Sequence, residues 1–435
     1  MPRFDKTAIT RHLGRSDRIL FTRTRNAMTT SVVRASRAIA DAAARWRDAD
    51  FPPRVRVTRA LRERTGYTEP VIDYALDTLF AEIEASAICA TVVSELGSLD
   101  ALEHFVDRVD RPAVTFVPLE RVTIVASDTT IGVALYPLVF ALVAGAHVRV
   151  KDRDDRLIGA FLETLAQESP ELAARASAEP WRGDDDVAAG AHLGDADVVV
   201  AFGGDAALVA IRAHLAPKAR FIGYGHRTSI GYVTHAALAD EAQARIAALG
   251  AARDALLYDG EGCLSLHTLF VEDGAAITPH AFTMVLANAC DTLAIEFPAR
   301  SDDYDSDVAA YVRSARFRAA QGNATVVTSA LAPHVVVGEN DLAIAPPLLR
   351  RTIACYPVAS PGDALAFLRR HTIALEGLAF SPDAIATPRV DLDAFARASG
   401  ASRIAPLGML QRPPLGGEHG GVGRILPFVR AIYRA

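Results

Sequence analysis

Val122-Thr-Ile-Val-Ala-Ser-Asp-Thr-Thr130, the apolar run Ile131–Ala146 and His147-Val-Arg-Val-Lys151 form one continuous pattern. Val122–Ala126 is a β-branched run that fits a pleated strand, and Ser127–Thr130 is a polar turn. The apolar run reads as a buried helix stopped by Gly145, and it is shorter than the roughly 20 residues a membrane span requires. His147–Lys151 is a second strand. Two strands joined through a helix imply a parallel sheet with a right-handed crossover.

The unit recurs downstream. Asp154 and Arg156 lead into a helix over Leu157–Gln167; Asp197-Val-Val-Val-Ala-Phe202 is then a strand apolar on both faces, Gly203-Gly204-Asp205 a tight turn, and Ala206–His214 a helix. A glycine turn that opens a helix after a strand favours a phosphate, because unpaired N–H groups and the helix dipole both attract anions. Asp205 opposes this unless it merely caps the helix. Phe221–Val233, punctuated by Gly223 and Gly225, is a crossing into a second α/β unit that opens with a helix over Ala236–Leu249. Helices over Phe282–Leu293, Asp307–Gln321 and Gly362–Thr372 alternate there with strands at Val326-Val327, Val335–Val337, Ile353–Tyr356 and within Ile373–Phe380.

Between these lies Tyr258-Asp-Gly-Glu-Gly-Cys263-Leu-Ser-Leu-His-Thr-Leu-Phe-Val271. Cys263 follows two glycines and precedes an apolar strand. A lone cysteine can be a small buried hydrophobe, but a turn that aims backbone N–H groups at the sulfur activates the thiolate, so Cys263 reads as an ionised nucleophile. His267, four residues on, is a candidate proton donor or base. Upstream, helical spacing of Val32, Val33, Ile39, Ala43 and Trp46 predicts a mostly helical segment, with Pro70 starting a helix over Val71–Glu84. The arginines of Arg54–Arg64 read as a solvated helix face, and the pair Arg350-Arg351 as exposed at a strand entrance or bound to phosphates. Downstream, Pro406–Gly423 is too rich in Gly and Pro for a helix or strand, so it is a linker or a loop passing close to something flat.

The bulk composition sets limits. Over 435 residues, 46 Lys and Arg face 52 Asp and Glu, for a net charge of −6. That balance disfavours nucleic acid or an anionic membrane as partner. The four cysteines, Cys89, Cys263, Cys290 and Cys355, show no metal or disulfide spacing, and the N-terminus has no apolar signal core, which together suit a cytoplasmic protein.

In this order the pieces resemble the aldehyde dehydrogenase superfamily, and within it the acyl-CoA reductase (LuxC-type) family. The resemblance covers most of the chain and rests on Ser127-Asp128, Ala141–Gly145, Val148–Lys151, Phe202-Gly203-Gly204, Gly260–Cys263 and Pro414–Gly417. Thr65-Gly-Tyr67, the Gly-Gly-acid turn, Leu407–Gln411 and His419-Gly420 carry it to the narrower family. It implies two α/β lobes, one Rossmann-like for the cofactor and one catalytic, behind a helical N-terminal segment. The expected boundaries are 1–108 helical, 109–232 NAD(P)-binding, 233–385 catalytic with Cys263, and 386–435 a return segment with the Gly/Pro loop.

The resemblance implies further that Cys263 takes the acyl group of a fatty acyl-CoA, or of an acylated carrier or synthetase protein, and that a nicotinamide cofactor reduces the thioester to the aldehyde. Ser127, Lys151, Arg153, Asp154, Phe202, Gly203, Gly204, Asp205, Gly223 and Gly225 would hold that cofactor. Asp154 suits NADH, while Arg153 and Arg156 suit NADPH, which the family uses. A homo-oligomer is expected. Two departures matter. Hydrolytic members carry a general-base glutamate in the crossing, where this chain has Gly223-Tyr224-Gly225, and its absence favours reduction of the thioester over its hydrolysis. Asp128 stands where an asparagine usually donates to the oxyanion, so that task falls to the Cys263 N–H, to Thr129 or to a protonated Asp128. The alternatives are a reductase of acyl phosphates of the γ-glutamyl phosphate type, and a non-catalytic subunit that binds acyl chains or partners.

Overall fold

The computed structural model describes residues 30–127, 130–152, 156–181, 186–301, 305–329, 332–387 and 389–434. Asp128, Thr129, Arg153 and Asp154 lie outside them. The described residues open with four helices, α1 (Ser31–Arg45), α2 (Pro52–Thr65), α3 (Glu69–Ala81) and α4 (Ala85–Leu96). The Thr30 hydroxyl caps α1 through the Val33 N–H at 3.3 Å, and the helix buries Val32, Ile39, Ala42 and Ala43. Trp46 just beyond it stacks on Phe80 at 4.9 Å and donates to Thr164 at 3.2 Å. Gly66 at φ +72° ends α2, and Pro70 sits in the first turn of α3. The helix expected over Val71–Glu84 stops at Ala81.

Arg54 departs from the solvated-face reading. It is 1% exposed, and its guanidinium reaches Asp77 at 2.6 Å, Asp73 at 3.3 Å and the Trp46 carbonyl at 2.9 Å. The two aspartates are one turn apart on α3, so the counter-charge comes from a different helix, which periodicity within α2 cannot reveal.

Strands β1 (Val106–Arg108) and β2 (Arg111–Pro118) follow, and then the strand–helix–strand unit: β3 (Arg121–Val125), α5 (Leu135–Ala144) and β4 (His147–Lys151). Every residue of α5 is buried, and Gly145 at φ +97° terminates it. After α6 (Leu157–Glu168) and α7 (Pro170–Ala173), the chain adds β5 (Ala176–Glu179), α8 (Asp186–Leu193), β6 (Val198–Phe202), α9 (Asp205–Ala213) and β7 (Arg220–Tyr224). The strands form one parallel sheet in the order β5-β4-β3-β6-β7. Strand order therefore reverses between β3 and β6, which opens a crevice at their carboxyl ends.

Only residues 225–227 separate β7 from β8 (Thr228–Val233), which already belongs to a second sheet. That sheet continues through α10 (Glu241–Leu256), β9 (Leu266–Glu272), α11 (Pro279–Glu296), α12 (Ser306–Ala320), β10 (Ala324–Thr328), β11 (Val335–Glu339), β12 (Thr352–Val358), α13 (Pro361–Arg370), β13 (Leu375–Phe380), α14 (Pro382–Ala386), α15 (Val390–Ser399) and β14 (Arg403–Pro406). Its order is β10-β11-β12-β9-β8-β13-β14, parallel except for β10. All residues of β8, β9 and β13 are buried, as expected of strands covered on both faces. The last strand, β15 (Val429–Arg434), pairs antiparallel with β2, and β1-β2-β15 make a small third sheet. No helix among the described residues is long and apolar enough to cross a membrane.

The Gly/Pro-rich tail is a packed loop. A Cβ on Gly416 would lie 2.5 Å from the Thr91 hydroxyl, and one on Gly423 would lie 2.7 Å from the Glu95 carboxylate. That carboxylate accepts the backbone N–H groups of Arg424 at 2.6 Å and of Ile425 and Leu426 at 3.0 Å each. Charge-assisted hydrogen bonds of this kind are worth about 1.5–3 kcal/mol each. Glu95→Ala should therefore lower the stability of the protein by about 2–4 kcal/mol and depress its thermal unfolding midpoint measurably, with Glu95→Gln in between. A midpoint in Glu95→Ala equal to that of the wild type would refute the anchoring role.

Candidate active site

The cavity lies where the carboxyl edge of the five-stranded sheet faces the amino edge of the seven-stranded one. It has a volume of about 800 Å³. Val125, Lys151, Phe202 and Tyr224 reach it from strand ends of the first sheet, while Thr228, Cys263, Arg350 and Glu376 reach it from strand entrances of the second.

Cys263 is presented by an unusual piece of backbone. Tyr258, Asp259 and Gly260 take φ values of +53°, +54° and +78°, three consecutive residues in the left-handed region. Only the glycine is at ease there; each of the others costs about 1–2 kcal/mol. The Asp259 side chain supplies the restraint. At 2% exposure it accepts from Arg300 Nε at 2.8 Å, Arg351 Nη1 at 2.9 Å and Arg350 Nη2 at 3.0 Å. The Arg351 backbone N–H donates to the Asp259 carbonyl at 3.1 Å, and both Arg351 Nη atoms donate to the Phe297 carbonyl at 3.1 Å. Burial raises the affinity of Asp259 for a proton, but the arginines outweigh it and hold the carboxyl below its ordinary range. Arg351 is thus neither exposed nor free for phosphates, being 3% exposed and spent on Asp259, while Arg350 pairs with Asp259 and Glu261 and stays partly exposed in the cavity lining.

After the left-handed run, the Ser265 N–H closes a turn onto the Gly262 carbonyl at 2.9 Å, and the Ser229 hydroxyl holds the Cys263 carbonyl at 3.0 Å. A Cβ on Gly262 would stand 3.3 Å from Ser265 Oγ, 3.5 Å from Thr130 Oγ1 and 3.6 Å from Gln411 Oε1, so polar groups crowd this turn. Gln411 is itself tied to Ser265 at 2.9 Å and to the Asp254 carbonyl at 3.2 Å. The buried Asp254 carboxylate fixes the loop beneath through the N–H groups of Gly408 at 2.6 Å and Leu410 at 3.1 Å.

The electrostatics correct the expectation of an ionised thiol. Burial pushes the Cys263 thiol up to about 12, and the Glu376 carboxylate adds to this; the N–H groups of Cys263 and Leu264 and the Arg227 guanidinium pull the other way without prevailing. The aimed N–H groups are present, but desolvation wins, and the resting sulfur is a neutral thiol. His267 lines the same cavity and is 8% exposed. Burial lowers its affinity for a proton, opposed by the backbone carbonyls of Gly260, Thr352 and Leu349, so the ring is neutral.

Ser127, Lys151, Phe202, Gly203, Gly204 and Gly225 all line the cavity; Asp205 and Gly223 stand beside it. Asp205 is the first residue of α9 but makes no side-chain cap. It accepts from the His226 N–H at 3.3 Å, and Gly225 is a glycine because a Cβ there would lie 2.7 Å from the Asp205 oxygen. Lys151 is 5% exposed, with its Nζ 5.1 Å from the centre of the Trp181 ring, which stacks on His192 at 4.5 Å. The loop read as passing something flat does so: a Cβ on Gly420 would be 3.0 Å from the Tyr224 ring, and His419 stacks on that ring at 4.0 Å, with Phe202 on Tyr224 at 4.9 Å. Burial and the nearby Arg424 and Arg227 push His419 down to about 3.

Sequence reasoning missed Thr130, Trp181, Arg227 and Glu376. For Glu376 a signal existed: it is the one charge within the apolar strand Leu375–Phe380, and a buried charge asks for a reason. Among the described residues no group of three or more His, Cys, Asp or Glu could hold a metal ion.

The acyl-CoA reductase (LuxC) family matches residues 28–431 of the chain. No curated protein sequence matches it. Among solved structures it is similar to a NAD-dependent benzaldehyde dehydrogenase from Corynebacterium glutamicum, at 14% identity and a TM-score of 0.64 over 94% of this chain and 87% of that one. It is also similar to aldehyde dehydrogenase 21 from Physcomitrella patens, solved with succinate, at 10% identity and a TM-score of 0.64 over 93% and 86%. Betaine aldehyde dehydrogenase from Staphylococcus aureus stands at 14% identity and a TM-score of 0.64 over 93% and 83%.

Two outcomes follow from this geometry. In the ligand-free protein the rate of Cys263 alkylation by iodoacetamide, followed by mass spectrometry of its peptide, should rise about tenfold per pH unit from pH 7 to 10, and a plateau below pH 9 would show a stabilised thiolate instead. Asp259→Ala leaves Arg351 buried without its counter-charge and should cost about 3–5 kcal/mol by denaturant titration, against under about 1 kcal/mol if the cluster behaves as a surface ion pair.

Proposed function

The chain belongs to the acyl-CoA reductase (LuxC) family and is an oxidoreductase of acyl and aldehyde groups; on that premise we propose that it reduces a fatty acyl thioester to the aldehyde through an acyl group held on Cys263. The observation that carries this reading is that Cys263 opens into the same cavity as the glycine turn Gly203-Gly204 and Lys151. The five-stranded sheet is then the cofactor lobe and the seven-stranded sheet the catalytic lobe.

The residues present fit a dinucleotide. The crevice lies at carboxyl ends of parallel strands, where such ligands bind. A Cβ on Gly204 would meet nothing within 4 Å, so the glycine leaves the amino end of α9 open. That helix buries none of its own residues, although Ala207, Ala210 and Ile211 face the cavity, which is an apolar face suited to a flat ring. Gly203 and Gly204 would hold the phosphates, and Lys151 and Ser127 the adjoining sugar. The bound nicotinamide cofactor supplies a hydride. We assign NADPH rather than NADH, because the family resemblance favours it and Arg153 and Arg156 supply cations just past Lys151.

The chain's own part is to present the thiol, hold the acyl carbonyl and keep water from the thioester. Attack by the Cys263 sulfur places negative charge on the acyl oxygen; the Cys263 N–H would receive it, helped by Thr130, whose hydroxyl lies beside the Gly262 turn. Where hydrolytic relatives carry a glutamate stands Tyr224, whose phenol is pushed up to about 12 by burial and serves no base role. The acyl donor is a fatty acyl-CoA or an acylated carrier or synthetase protein. A homo-oligomer is supported by β15, paired on one side only. Free cysteines at 89, 263, 290 and 355 suit a reducing cytoplasm.

A panel of acyl-CoAs with NADPH and NADH, followed at the cofactor's absorbance, tests the reading. Aldehyde formation is expected with long-chain acyl-CoA, faster with NADPH, and Cys263→Ala should abolish both covalent acyl labelling and aldehyde formation. Turnover of acyl phosphates without acyl-CoA turnover would overturn it.

A further inference from the structure

The acyl-transfer reading, on which this inference rests, leaves one event without an owner: the neutral thiol of Cys263 must lose a proton as its sulfur attacks. Three carboxylates line the described part of the cavity, those of Glu261, Asp305 and Glu376. Glu261 is bound by Arg300 and Arg350. Asp305 caps α12 through the N–H groups of Asp307 at 3.1 Å and Val308 at 2.8 Å. Burial lowers the proton affinity of both His267 and His419, the second also stacked on Tyr224, and makes each ring a weak base.

Glu376 differs. It enters at the amino edge of β13 and is 4% exposed. Its Oε1 accepts from the Ser402 hydroxyl at 2.6 Å and the Gly420 N–H at 3.1 Å, while Oε2 faces Arg227 at a loose 3.7 Å. The next residue presses on the nucleophile turn. A Cβ on Gly377 would lie 2.7 Å from Ser229 Oγ, the group that holds the Cys263 carbonyl, and 3.3 Å from Leu264. The strand carrying this carboxylate therefore runs directly against the turn carrying the thiol, and the charge of Glu376 is felt at the sulfur.

We propose that Glu376 receives the Cys263 proton as the sulfur attacks the acyl carbon, and returns it to the departing thiolate. The S–H bond breaks and an O–H bond forms on Glu376; the bond from sulfur to acyl carbon forms, and the bond to the leaving group breaks. No electrons change hands, and Glu376 ends as it began. Oε1 is anchored by Ser402 and Gly420, which leaves Oε2 as the proton acceptor.

The test uses p-nitrophenyl acetate, which acylates a nucleophilic cysteine without CoA or cofactor, with the nitrophenolate burst recorded in the full-length protein. Glu376→Gln keeps an oxygen for Ser402 and Gly420 but accepts no proton. Its burst rate at pH 7.5 should fall about 100-fold or more. Iodoacetamide alkylation of Cys263 at pH 9 should not fall, because removing a negative charge from beside the sulfur favours the thiolate. A burst within about threefold of wild type, a wild-type protein with no burst, or an equal loss in burst and alkylation would overturn the proposal. If Glu376→Gln does not fold, Glu376→Ala is assayed with added formate; restoration of the burst supports the proposal, and its absence overturns it. A Glu376-dependent burst without acyl-CoA turnover sinks the thioester-reductase reading alone. Acyl-CoA turnover by Glu376→Gln at the wild-type rate sinks this proposal alone.

Discussion

A single carboxylate, that of Asp259, meets three guanidinium groups in a buried place, and the site depends on that convergence. The left-handed run at Tyr258–Gly260 is unfavourable in isolation, yet it turns the chain so that Cys263 emerges at the cavity wall. Buried charges are costly unless fully matched, and here the match is close to complete: Arg300 comes from the loop after α11, and Arg350 and Arg351 from the approach to β12. Tyr67 joins from the helical layer, its hydroxyl 3.4 Å from the Tyr258 carbonyl and its ring 4.7 Å beneath the Arg300 guanidinium. The turn that carries Cys263 is thus defined by segments far from it in sequence.

The second constraint is how the two large sheets meet. In a parallel sheet all strands end on one edge and begin on the other, so placing the carboxyl edge of one against the amino edge of the next brings two rows of loops to one cleft. The first row carries a glycine turn and a buried lysine; the second carries the thiol and a carboxylate. Burial of the sulfur in the cleft wall raises its affinity for a proton and favours the thiol.

Much of this was legible in the sequence, and the reasons are local. The unit Val122–Lys151 showed a parallel sheet because β-branched runs, an all-apolar helix and a stopping glycine are adjacent. The lone cysteine after two glycines pointed to the turn at Gly260–Cys263, and Cys263 does line the cavity. The reading failed where cause and effect are distant in the chain. Arg54 and Arg351 looked exposed because the acids that bury them lie on another helix and in another loop. β15 alternates Val429, Arg430 and Ala431 with no turn signal, and only its pairing with β2 makes it a strand. The ionisation state of Cys263 was misread because a sequence shows which N–H groups can point at a sulfur but not how much protein shuts out water. Glu376 did not stand out because its neighbours in the cavity come from other strands.

The tie between Glu95 and the backbone of Arg424 spans 329 positions. Just ahead of that backbone, His419 lies on the ring of Tyr224 at the cavity wall. A ribosome delivers the helical layer well before the stacking imidazole. Both large sheets can form while the chamber between them still lacks this wall. The cavity wall at Tyr224 is therefore completed by a segment made long after the helix that ties it down.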